Sequence, residues 1–527
     1  MKGENLIIKD WRNIDISFGL IYPNIHKIGM SSYSIRLLYF LLNSYDNIVC
    51  ERVFLPDNVK YPSHAFYNPK NQIRSVENRI LLDEFDILGF SLQFENDFKN
   101  ILWILEDSRI PIKNQARESI TKEDGSPYPL IIAGGPVATS NPIPFSLFFD
   151  LFFIGDSEPN LEPFLKLFET YKDGKIDKKE LLKKAQSIEG LFVPSLNNKV
   201  IRAVKQDLDQ APIPDYQLLS KSSEKNQIFM SNYFIEINRG CPFKCKFCIS
   251  SFHNSPFRNR SFNKIINAID NGIKYSHFDT ISMIGSCVSA NPKFAEICEY
   301  ILENGIRFTI PSIRIEHLNA KIIQLFEVGN IKTITLAPET GSEKLRYKLG
   351  KKISDEKIYS VLEDLKKSKI RNVKLYFLIG LPEETNENID DTIDMLKNFE
   401  NMGFDKDSLR VNINPLIPKL NTPYENKPDF FLDENINKLK LAYQKIENET
   451  KKLPSIKLKF QNISRIIKNA KLQALISLGD KKIGLLLTNY YLEGAHFGAL
   501  RKAEKMADIT INDYFQKIRN GLSPWRI

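Results

Sequence analysis

The sequence predicts an α/β protein with two regions of parallel sheet, and three observations support that class. From about residue 14 to residue 170, apolar strands alternate with amphipathic helices, which is typical of a doubly wound parallel sheet. A second alternation, of six β/α units, runs from about 226 to 423. Between them, residues 171–225 combine a charge-rich stretch with the proline-set segment 211–215, which favours an extended connector.

The first region, residues 1–170, is predicted to form a flavodoxin- or Rossmann-like domain. Its strands are expected at Ile16–Tyr22, Ile48–Leu55, Ile87–Leu92, Leu130–Ala133 and Leu151–Ile154. Its clearest helices are expected at Ser32–Leu42 and Asn96–Leu105. In such sheets ligands bind beyond the carboxyl ends of the strands, near the point where the strand order reverses. The turns 23–30, 91–96 and 134–136 follow strands and are therefore candidate binding loops.

The second region, residues 226–423, is predicted from six short apolar strands with helices between them. The strands are expected at Phe234–Asn238, Thr280–Ile284, Arg307–Ile310, Thr333–Ala337, Val373–Ile379 and Leu409–Asn414. The helices are expected at Phe262–Tyr275, Lys293–Glu303, Ala320–Phe326, Lys357–Lys367 and Asp390–Phe399. Catalytic loops are expected at the carboxyl ends of such strands. Residues 424–527 are predicted to form a small basic C-terminal domain, α+β or helical.

The composition indicates an ordinary soluble globular protein. The 527 residues are 42% apolar and 26% charged, a length and composition that suit several packed domains. No signal-peptide pattern opens the sequence, and the longest apolar run, 145–154, is too short to span a bilayer. We therefore expect a cytoplasmic location. The net charge of +9 is interpreted as a solvated basic face, and no stable nucleic-acid or membrane partner is predicted.

Three cysteines, Cys241, Cys245 and Cys248, fall within eight residues directly after the first strand of the second region. Thiolates bind soft metals, and the C-x3-C-x2-C spacing lets one loop wrap a single metal centre. Three ligands are one too few for a closed zinc site, whereas a cubane held by three thiolates keeps one iron open. A zinc knuckle would need a fourth ligand, and the candidates for it are Cys50, Cys287, Cys298 and the histidines. Since the sequence has no second cysteine pair, it favours an iron–sulfur cluster.

The loop resembles the cluster loop of the radical S-adenosylmethionine (SAM) superfamily, because Pro242 follows the first cysteine and Phe247 precedes the last. Segments 284–286, 338–343 and 379–385 match the strand ends of that family in the same order. The resemblance implies a partial (β/α)6 barrel with a [4Fe–4S] cluster on Cys241, Cys245 and Cys248 and with SAM on the fourth iron. It also implies a set of SAM contacts, namely Phe247, Gly285, Ser286, Glu339, Ser342, Gly380 and Pro382.

The N-terminal region resembles the cobalamin-binding domain that precedes the barrel in one subfamily. The segment 24–29 stands where that domain has Asp-x-His-x-x-Gly, and it keeps the histidine and the glycine but has asparagine in place of aspartate. The resemblance implies a cobalamin site with His26 as the candidate cobalt ligand, and its residues are Asn24, His26, Gly29, Ser91, Gly134 and Gly135. The alternative is a corrinoid-free sheet whose glycines only make tight turns, with His26 as a surface or capping residue.

The resemblance further implies an enzyme that cleaves SAM to a 5′-deoxyadenosyl radical and functionalises an unactivated C–H bond. With cobalamin the reaction would be a methylation, and without it a rearrangement or an oxidation. A flavodoxin- or ferredoxin-type reductant is expected, and the substrate, whether a small molecule, a lipid or a macromolecule, stays open. An RNA methylthiotransferase would need a second three-cysteine cluster before the barrel, where only Cys50 occurs. A non-catalytic RNA- or membrane-binding scaffold is the remaining alternative.

Cys287 is a weak candidate for a catalytic residue. It follows Gly285 and Ser286 at the end of a predicted strand, where it could donate a hydrogen atom to a product radical. The alternative is a small residue of the hydrophobic core, which is how a buried free cysteine usually behaves.

Overall fold

The computed structural model describes residues 3–57, 72–220, 231–459 and 462–527. The chain folds into two compact units. Unit 1 consists of Met1–Ser231, Leu475–Ile511 and Ser523–Ile527, and unit 2 consists of Asn232–Ala474 and Asn512–Leu522.

This division differs from the boundaries expected from the sequence. Residues 424–527 do not form a domain of their own, because part of this stretch belongs to each unit. The expected start of the second region at residue 226 lies outside the described residues. The charged connector from residue 171 onward belongs to unit 1.

The secondary structure alternates along the chain as expected. The strands are β1 Gly3–Glu4, β2 Ile16–Ile25, β3 Ile48–Leu55, β4 Ile87–Ser91, β5 Leu130–Gly134, β6 Leu151–Phe153, β7 Leu191–Phe192, β8 Leu219–Ser220, β9 Tyr233–Glu236, β10 Asn238–Arg239, β11 Arg258–Asn259, β12 Thr280–Ile284, β13 Arg307–Thr309, β14 Thr333–Glu339, β15 Asn372–Ile379, β16 Leu409–Pro415 and β17 Ile456–Leu458. The helices are α1 His26–Gly29, α2 Tyr33–Asn43, α3 Phe98–Asp107, α4 Asn114–Ser119, α5 Pro136–Ser140, α6 Leu161–Lys172, α7 Lys178–Ala185, α8 Ile249–Phe252, α9 Phe262–Tyr275, α10 Phe294–Glu303, α11 Ala320–Val328, α12 Glu343–Lys348, α13 Asp355–Lys367, α14 Asn386–Asn401, α15 Ile436–Thr450, α16 Ile463–Ser477, α17 Lys481–Leu492, α18 Phe497–Ala507 and α19 Ile511–Arg519.

Unit 1 is organised around a six-stranded sheet with the order β3-β2-β4-β5-β6-β7. Neighbouring strands are parallel except for the pair β6 and β7. All residues of β3, β4 and β6 are buried, which is the pattern of a parallel sheet covered on both faces. The doubly wound sheet predicted from the sequence is therefore confirmed. Because β2 lies between β3 and β4, the strand order reverses between β2 and β4.

The C-terminal part of unit 1 packs on the loops that follow β4 and β5. The side-chain amide of Asn141 donates to the carbonyl oxygens of Ser477 and Gly479 at 3.2 and 2.8 Å. The Ser477 hydroxyl donates to Glu95 Oε1 at 3.0 Å, and the Trp525 indole N–H donates to the carbonyl oxygen of Thr139 at 3.3 Å. These long-range contacts explain why residues from the end of the chain belong to the first unit.

Unit 2 contains two parallel sheets, with the orders β13-β12-β9 and β14-β15-β16-β17. The six strands expected for a partial barrel are present, and β17 adds a further parallel strand beside β16. Among the described residues no ladder joins β13 to β14, although the Ile313 N–H donates to the carbonyl oxygen of Thr335 at 3.3 Å. Residues from both sheets contribute to one hydrophobic core.

Polar residues in the sequence fix where several barrel helices begin. The Ser261 hydroxyl accepts from the Lys264 N–H at the start of α9, and the Ser354 hydroxyl accepts from the Lys357 N–H at the start of α13. At the start of α14, Thr385 and Asn388 form a reciprocal capping box. Each cap satisfies N–H groups that the helix itself leaves without a partner. In the described parts of the chain, no helix has the length and apolar character needed to cross a membrane.

The packing of α17 on the loop after β5 can be tested at Gly484. A Cβ atom at this position would lie 2.4 Å from the carbonyl oxygen of Pro144. Alanine stabilises a helix interior by about 1 kcal/mol relative to glycine, but overpacking against backbone costs about 1–3 kcal/mol. We expect Gly484→Ala to lower the free energy of unfolding measured in denaturant.

Gly498 in α18 provides the matched control, because a Cβ there would meet only the His496 ring, at 3.2 Å. Gly498→Ala is expected to be neutral or stabilising. Equal stabilisation by both substitutions would contradict the packing of α17 on Pro144.

Candidate active site

The cysteine loop of unit 2 begins where β9 ends and is fixed at its entrance by a short strand pair. Arg239 in β10 pairs with Arg258 in β11. Gly240 then has a φ of +74°, and a Cβ on it would lie 2.4 Å from the carbonyl oxygen of Asn254. Only glycine accommodates both the conformation and the close approach of the backbone. The chain thus turns sharply just before Cys241.

A buried ion cluster holds the same entrance. Glu236 accepts hydrogen bonds from Arg239 Nε at 2.6 Å and from Arg260 Nη2 at 2.8 Å. Burial raises the pKa of Glu236, but the two guanidinium groups outweigh that effect, and its pKa lies below the ordinary value. The carboxylate is therefore charged at neutral pH and links the end of β9 to the residues before and after the cysteine loop.

The three loop cysteines are free thiols in different environments. Cys245 is buried, whereas Cys241 and Cys248 are half-buried. A hydrogen bond from the Cys287 thiol lowers the pKa of Cys241 to about 6, against the effect of burial. Burial raises the pKa of Cys245, and the nearby cations Lys351 and Arg314 oppose that rise. Metal ligation requires thiolates, so the environment of Cys241 suits a ligand.

In number and chemistry the donor set fits an iron–sulfur cluster. Three unbridged thiols lie in one loop, and two cations face Cys245. Among the described residues, no group of three or more His, Cys, Asp or Glu side chains is arranged to hold a single metal ion. Cys241 instead contacts Cys287, the buried cysteine that follows β12.

The segment from Leu349 to Lys351 connects the cysteine loop to Glu339. The Lys246 N–H donates to the carbonyl oxygen of Leu349 at 2.9 Å. Gly350 has a φ of +80°, and a Cβ there would lie 2.6 Å from the carbonyl oxygen of Lys244. Lys351 follows directly, and its Nζ donates to Glu339 Oε1 at 2.7 Å. Both side chains of this ion pair are only 10% exposed.

Glu339 ends β14 in a strained conformation. Its φ is +71°, and the pairing register of β14 with β15 shifts between Leu336 and Glu339. A non-glycine residue in the left-handed region persists where its surroundings hold it, and such residues cluster at functional sites. Sequence reasoning identified Glu339 but missed Lys351, because no spacing rule connects a lysine after α12 to a carboxylate at the end of β14.

Phe247 lies beside the turn that follows β15. It packs against an apolar cluster that includes Leu345, Leu381 and Leu416. In the turn, Gly380 has a φ of +74°, and its N–H donates to Glu384 Oε2 at 2.7 Å. Burial raises the pKa of Glu384 to about 7, against hydrogen bonds from the backbone N–H groups of the turn. The structure thus brings together Phe247 and the turn that holds Pro382, two of the expected SAM contacts.

The remaining expected SAM contacts lie at the ends of β12 and β14. Ser342 is buried, and its hydroxyl accepts from the Asn388 side-chain amide at 3.1 Å. Gly285 lies against Asn238, since a Cβ there would approach Asn238 Oδ1 to 2.4 Å. Asn238 also donates to the carbonyl oxygen of Cys287 at 2.7 Å. Ser286, which stands between Gly285 and Cys287 in the sequence, is exposed.

Two polar groups after β12 and β13 were not anticipated from the sequence. Arg314 lies with its Cζ 3.6 Å from the centre of the Phe243 ring, and its Nη1 is 3.9 Å from Cys245 Sγ. The Ser289 hydroxyl and His317 Nδ1 are 2.8 Å apart. Their position after strand ends was the only available signal, and it does not separate these residues from ordinary loop residues.

In unit 1, the loops at the reversal of strand order form a polar network. The Asn24 side-chain amide donates to Asp97 Oδ1 at 3.1 Å, and Asn100 donates to the same oxygen at 3.2 Å. Burial raises the pKa of Asp97 to about 7, although the hydrogen bond from Asn24 opposes the rise. Gln93 Nε2 donates to the Ser91 hydroxyl at 3.0 Å. Asn24 and Ser91 therefore lie at the carboxyl ends of the neighbouring strands β2 and β4.

His26 begins α1 at this edge and is half-buried. Its ring lies edge-on to Phe54, with centroids 4.9 Å apart. Burial, with a smaller contribution from Arg52, lowers the pKa of His26 to about 4, so the imidazole is neutral at physiological pH. None of the described hydrogen bonds joins Asn24 to His26. The hydrogen bonds of the Asn24 side chain are instead with Asp97 and with the Ile25 N–H.

The glycines of this region have local packing roles. A Cβ at Gly29 would lie 2.3 Å from Phe54 Cε1. Gly135 has a φ of +102°, and a Cβ there would lie 2.7 Å from the carbonyl oxygen of Leu92. A Cβ at Gly134 would make only ordinary contact with Phe153, at 3.5 Å. Of these three glycines, only Gly134 has room for a Cβ atom without a steric clash.

Comparison with protein families identifies both regions. Residues 34–194 match the family described as radical SAM proteins, N-terminal, and residues 235–396 match the radical SAM superfamily. The second match spans the cysteine loop and the strand ends described above. The chain belongs to the radical SAM superfamily. It is accordingly a radical SAM enzyme, and its cofactors include a [4Fe–4S] cluster and SAM.

Relatives of this radical SAM enzyme extend over almost the whole chain. It is 28% identical over 482 residues to the uncharacterized protein MJ0966 of Methanocaldococcus jannaschii, covering 91% of this chain and 92% of that protein. The structure of the radical SAM methyltransferase TsrM from Kitasatospora setae, with cobalamin and a [4Fe–4S] cluster bound, matches with a TM-score of 0.53 and 11% identity. That match covers 93% of this chain and 99% of TsrM.

The structure of OxsB, a cobalamin-dependent SAM radical enzyme with aqua-cobalamin and SAM bound, also matches with a TM-score of 0.53, at 15% identity. It covers 97% of this chain and 73% of OxsB. At these identities the two structures establish the fold alone.

The cluster assignment predicts separate effects for five of the six cysteines. Cys241→Ala, Cys245→Ala and Cys248→Ala should each abolish the oxygen-sensitive cluster of about four irons and the cleavage of SAM to 5′-deoxyadenosine under dithionite, because each removes one thiolate ligand. Iron and acid-labile sulfide analysis after anaerobic reconstitution measures the first effect. Cys50→Ala in unit 1 and Cys298→Ala in unit 2 are controls that should keep both properties. Stoichiometric zinc without acid-labile sulfide would contradict the assignment.

The assignment of Glu339 to SAM predicts weaker SAM binding in Glu339→Ala with the cluster still assembled. The substitution also leaves the Lys351 ammonium buried without its carboxylate, which by itself destabilises the fold. The double variant Glu339→Ala/Lys351→Met removes both charges and separates the two effects. We expect the double variant to recover stability but not SAM affinity, measured by anaerobic calorimetry. Wild-type SAM affinity in either variant, with an intact cluster, counts against the assignment.

Proposed function

We propose that this radical SAM enzyme functionalises an unactivated C–H bond, with a corrinoid in unit 1 and transfer of a methyl group as the outcome. When bound, the reduced cluster and SAM supply a 5′-deoxyadenosyl radical, and a corrinoid would supply the methyl group. The protein's own contribution is then to hold these groups in position and to exclude water. Its site residues in unit 2 divide into three tasks.

The first task is to hold the cluster. Cys241, Cys245 and Cys248 are assigned as thiolate ligands of three irons, and the Cys287 thiol favours the thiolate of Cys241. The loop starts from the rigid Gly240 turn and from the ion cluster around Glu236, so its first ligand has a defined position.

The second and third tasks are to bind the two ends of SAM. Glu339, held by Lys351, and Ser342, held by Asn388, are assigned to its ribose and methionine part. Phe247 and the turn at Gly380 are assigned to adenine, which an apolar ring and backbone groups suit. Gly285 and Ser286 complete the assignment at the methionine end.

The corrinoid part of the proposal depends mainly on one observation, the reversal of strand order between β2 and β4. In open parallel sheets, ligands bind in the crevice outside the carboxyl ends of the strands at this point. Asn24 and Ser91 end the two strands, and His26 begins α1 directly after β2. The large apolar side chains of Ile28 and Phe94 are exposed beside them. A broad, partly apolar ligand would cover such side chains. Both TsrM and OxsB, which share the fold, have structures with a corrinoid bound.

A corrinoid-free rearrangement or oxidation is the second candidate. The packing roles of Gly29 and Gly135 favour it, since these glycines fit their neighbours without any ligand.

The proposed function also includes a flavodoxin- or ferredoxin-type electron donor, a cytoplasmic location and a role for Cys287 near the reacting atoms. The substrate can be a small molecule, a lipid or a macromolecule.

The test is anaerobic reconstitution with iron, sulfide and hydroxocobalamin, followed by gel filtration. We expect a corrinoid to co-elute with the protein. If His26 ligates cobalt, the Co(II) EPR spectrum shows coupling to an imidazole nitrogen, because the His26 ring is already in the neutral, ligating form. His26→Ala should then remove that coupling and leave the iron content unchanged.

The outcomes separate the two candidates. Protein that cleaves SAM but repeatedly elutes without corrinoid supports the corrinoid-free reaction. Corrinoid that is retained without nitrogen coupling supports the crevice but overturns His26 as the ligand.

A further inference from the structure

Arg314 is a charged residue beside the cysteine loop, and the proposed function assigns it no role. It lies in the loop after β13, and its side chain is 13% exposed. Its Nη1 is 3.9 Å from Cys245 Sγ, within hydrogen-bonding range for sulfur. An arginine cannot lose its proton in a protein, so this contact brings a permanent positive charge to the thiol.

Two neighbours hold the guanidinium in this place. The Phe243 ring, which lies within the cysteine loop, is 3.6 Å from Arg314 Cζ. Glu316 Oε1 accepts hydrogen bonds from Arg314, including one from Nε at 3.1 Å. The backbone before Arg314 is anchored by the hydrogen bond from Ile313 to Thr335 on β14. The charge is therefore fixed by stacking, by an ion pair and by the barrel strand beside it.

We propose that Arg314 sets the reduction potential of the iron–sulfur cluster through its hydrogen bond to Cys245. The inference depends on the proposed function, in which Cys245 is a cluster ligand. Reduction adds one electron to the cluster, and a fixed cation near a ligand sulfur stabilises the more negative, reduced form. Hydrogen bonds to cluster sulfurs and local net charge are general determinants of such potentials. Arg314 thus makes the cluster easier to reduce and is a positioning and tuning residue, not a ligand.

Glu316 carries a charge opposite to that of Arg314 and therefore provides a second test of the inference. Its carboxylate offsets part of the Arg314 charge and lies on the same loop. Removing Glu316 should therefore raise the reduction potential, whereas removing Arg314 should lower it. A purely structural role for this pair would not shift the potential in opposite directions when one or the other charge is neutralised.

The experiment is an EPR-monitored redox titration of anaerobically reconstituted full-length protein without SAM. For Arg314→Gln we expect the reduced-to-oxidised ratio at a fixed ambient potential to fall about tenfold, which corresponds to a midpoint potential about 59 mV lower for one electron. For Glu316→Gln we expect a shift of the midpoint potential to higher values. Arg307→Gln is the matched control, because Arg307 is a half-exposed arginine at the opposite end of β13 that also pairs with a carboxylate, that of Asp279. It should leave the midpoint potential unchanged.

The outcomes separate this inference from the proposed function. A wild-type protein that assembles no four-iron cluster overturns the proposed function and, with it, this inference. An intact cluster whose midpoint potential is the same in wild type and Arg314→Gln overturns this inference alone. If Arg314→Gln fails to retain a cluster, Glu316→Gln decides, and an unchanged or lowered midpoint potential in that variant overturns the inference.

Discussion

The burial of charge around the cysteine loop is the constraint on which the rest of unit 2 depends. A buried ion is tolerated only where an opposite charge and hydrogen bonds compensate for its lost hydration. Three carboxylates in this region form ion pairs. Glu339 pairs with Lys351, Glu316 pairs with Arg314, and Glu236 pairs with both Arg239 and Arg260. Each of these pairs forms within one β/α unit, so it fixes the segment that follows its own strand. Two of the cations, Lys351 and Arg314, are thereby held near Cys245, which suits an anionic metal centre.

The sequence predicts the strands and the cysteine loop well because both depend on local pattern. The expected strands at 280–284 and 48–55 agree with the structure at both ends, since their limits are set by apolar runs between polar turns. The positions of Lys351 and Arg314 near the cysteine loop could not be predicted from the sequence. Both residues follow turns, and the pattern of apolar and polar residues does not specify the geometry of a turn. The positive φ values at Gly350 and Glu339 are examples of such geometry. The division of the C-terminal region between two units was also unpredictable, because it results from long-range contacts such as those of Asn141.

In unit 1 the edge of the sheet where the strand order reverses combines a satisfied polar network with features that suit a ligand. Asn24, Asp97 and Asn100 form a satisfied polar network that needs no ligand. The reversal of strand order, the neutral ring of His26 and the exposed Ile28 and Phe94 instead suit a bound group. Aspartate at position 24 would face the carboxylate of Asp97, so the asparagine there is explained by its neighbour whether or not a corrinoid binds.

The return of the chain to unit 1 at residue 475 has a consequence for how the protein is made. Unit 1 begins first during synthesis, yet α17, α18 and Trp525 are added only after the 232–474 segment of unit 2 has been translated. At translation rates of about 5–20 residues per second, that interval lasts roughly 12 to 50 seconds. Throughout it, the nascent sheet is without the segment that later covers Pro144 and Thr139. Unit 2 in turn takes residues 512–522 from beyond α18, so both units are completed only near the end of synthesis.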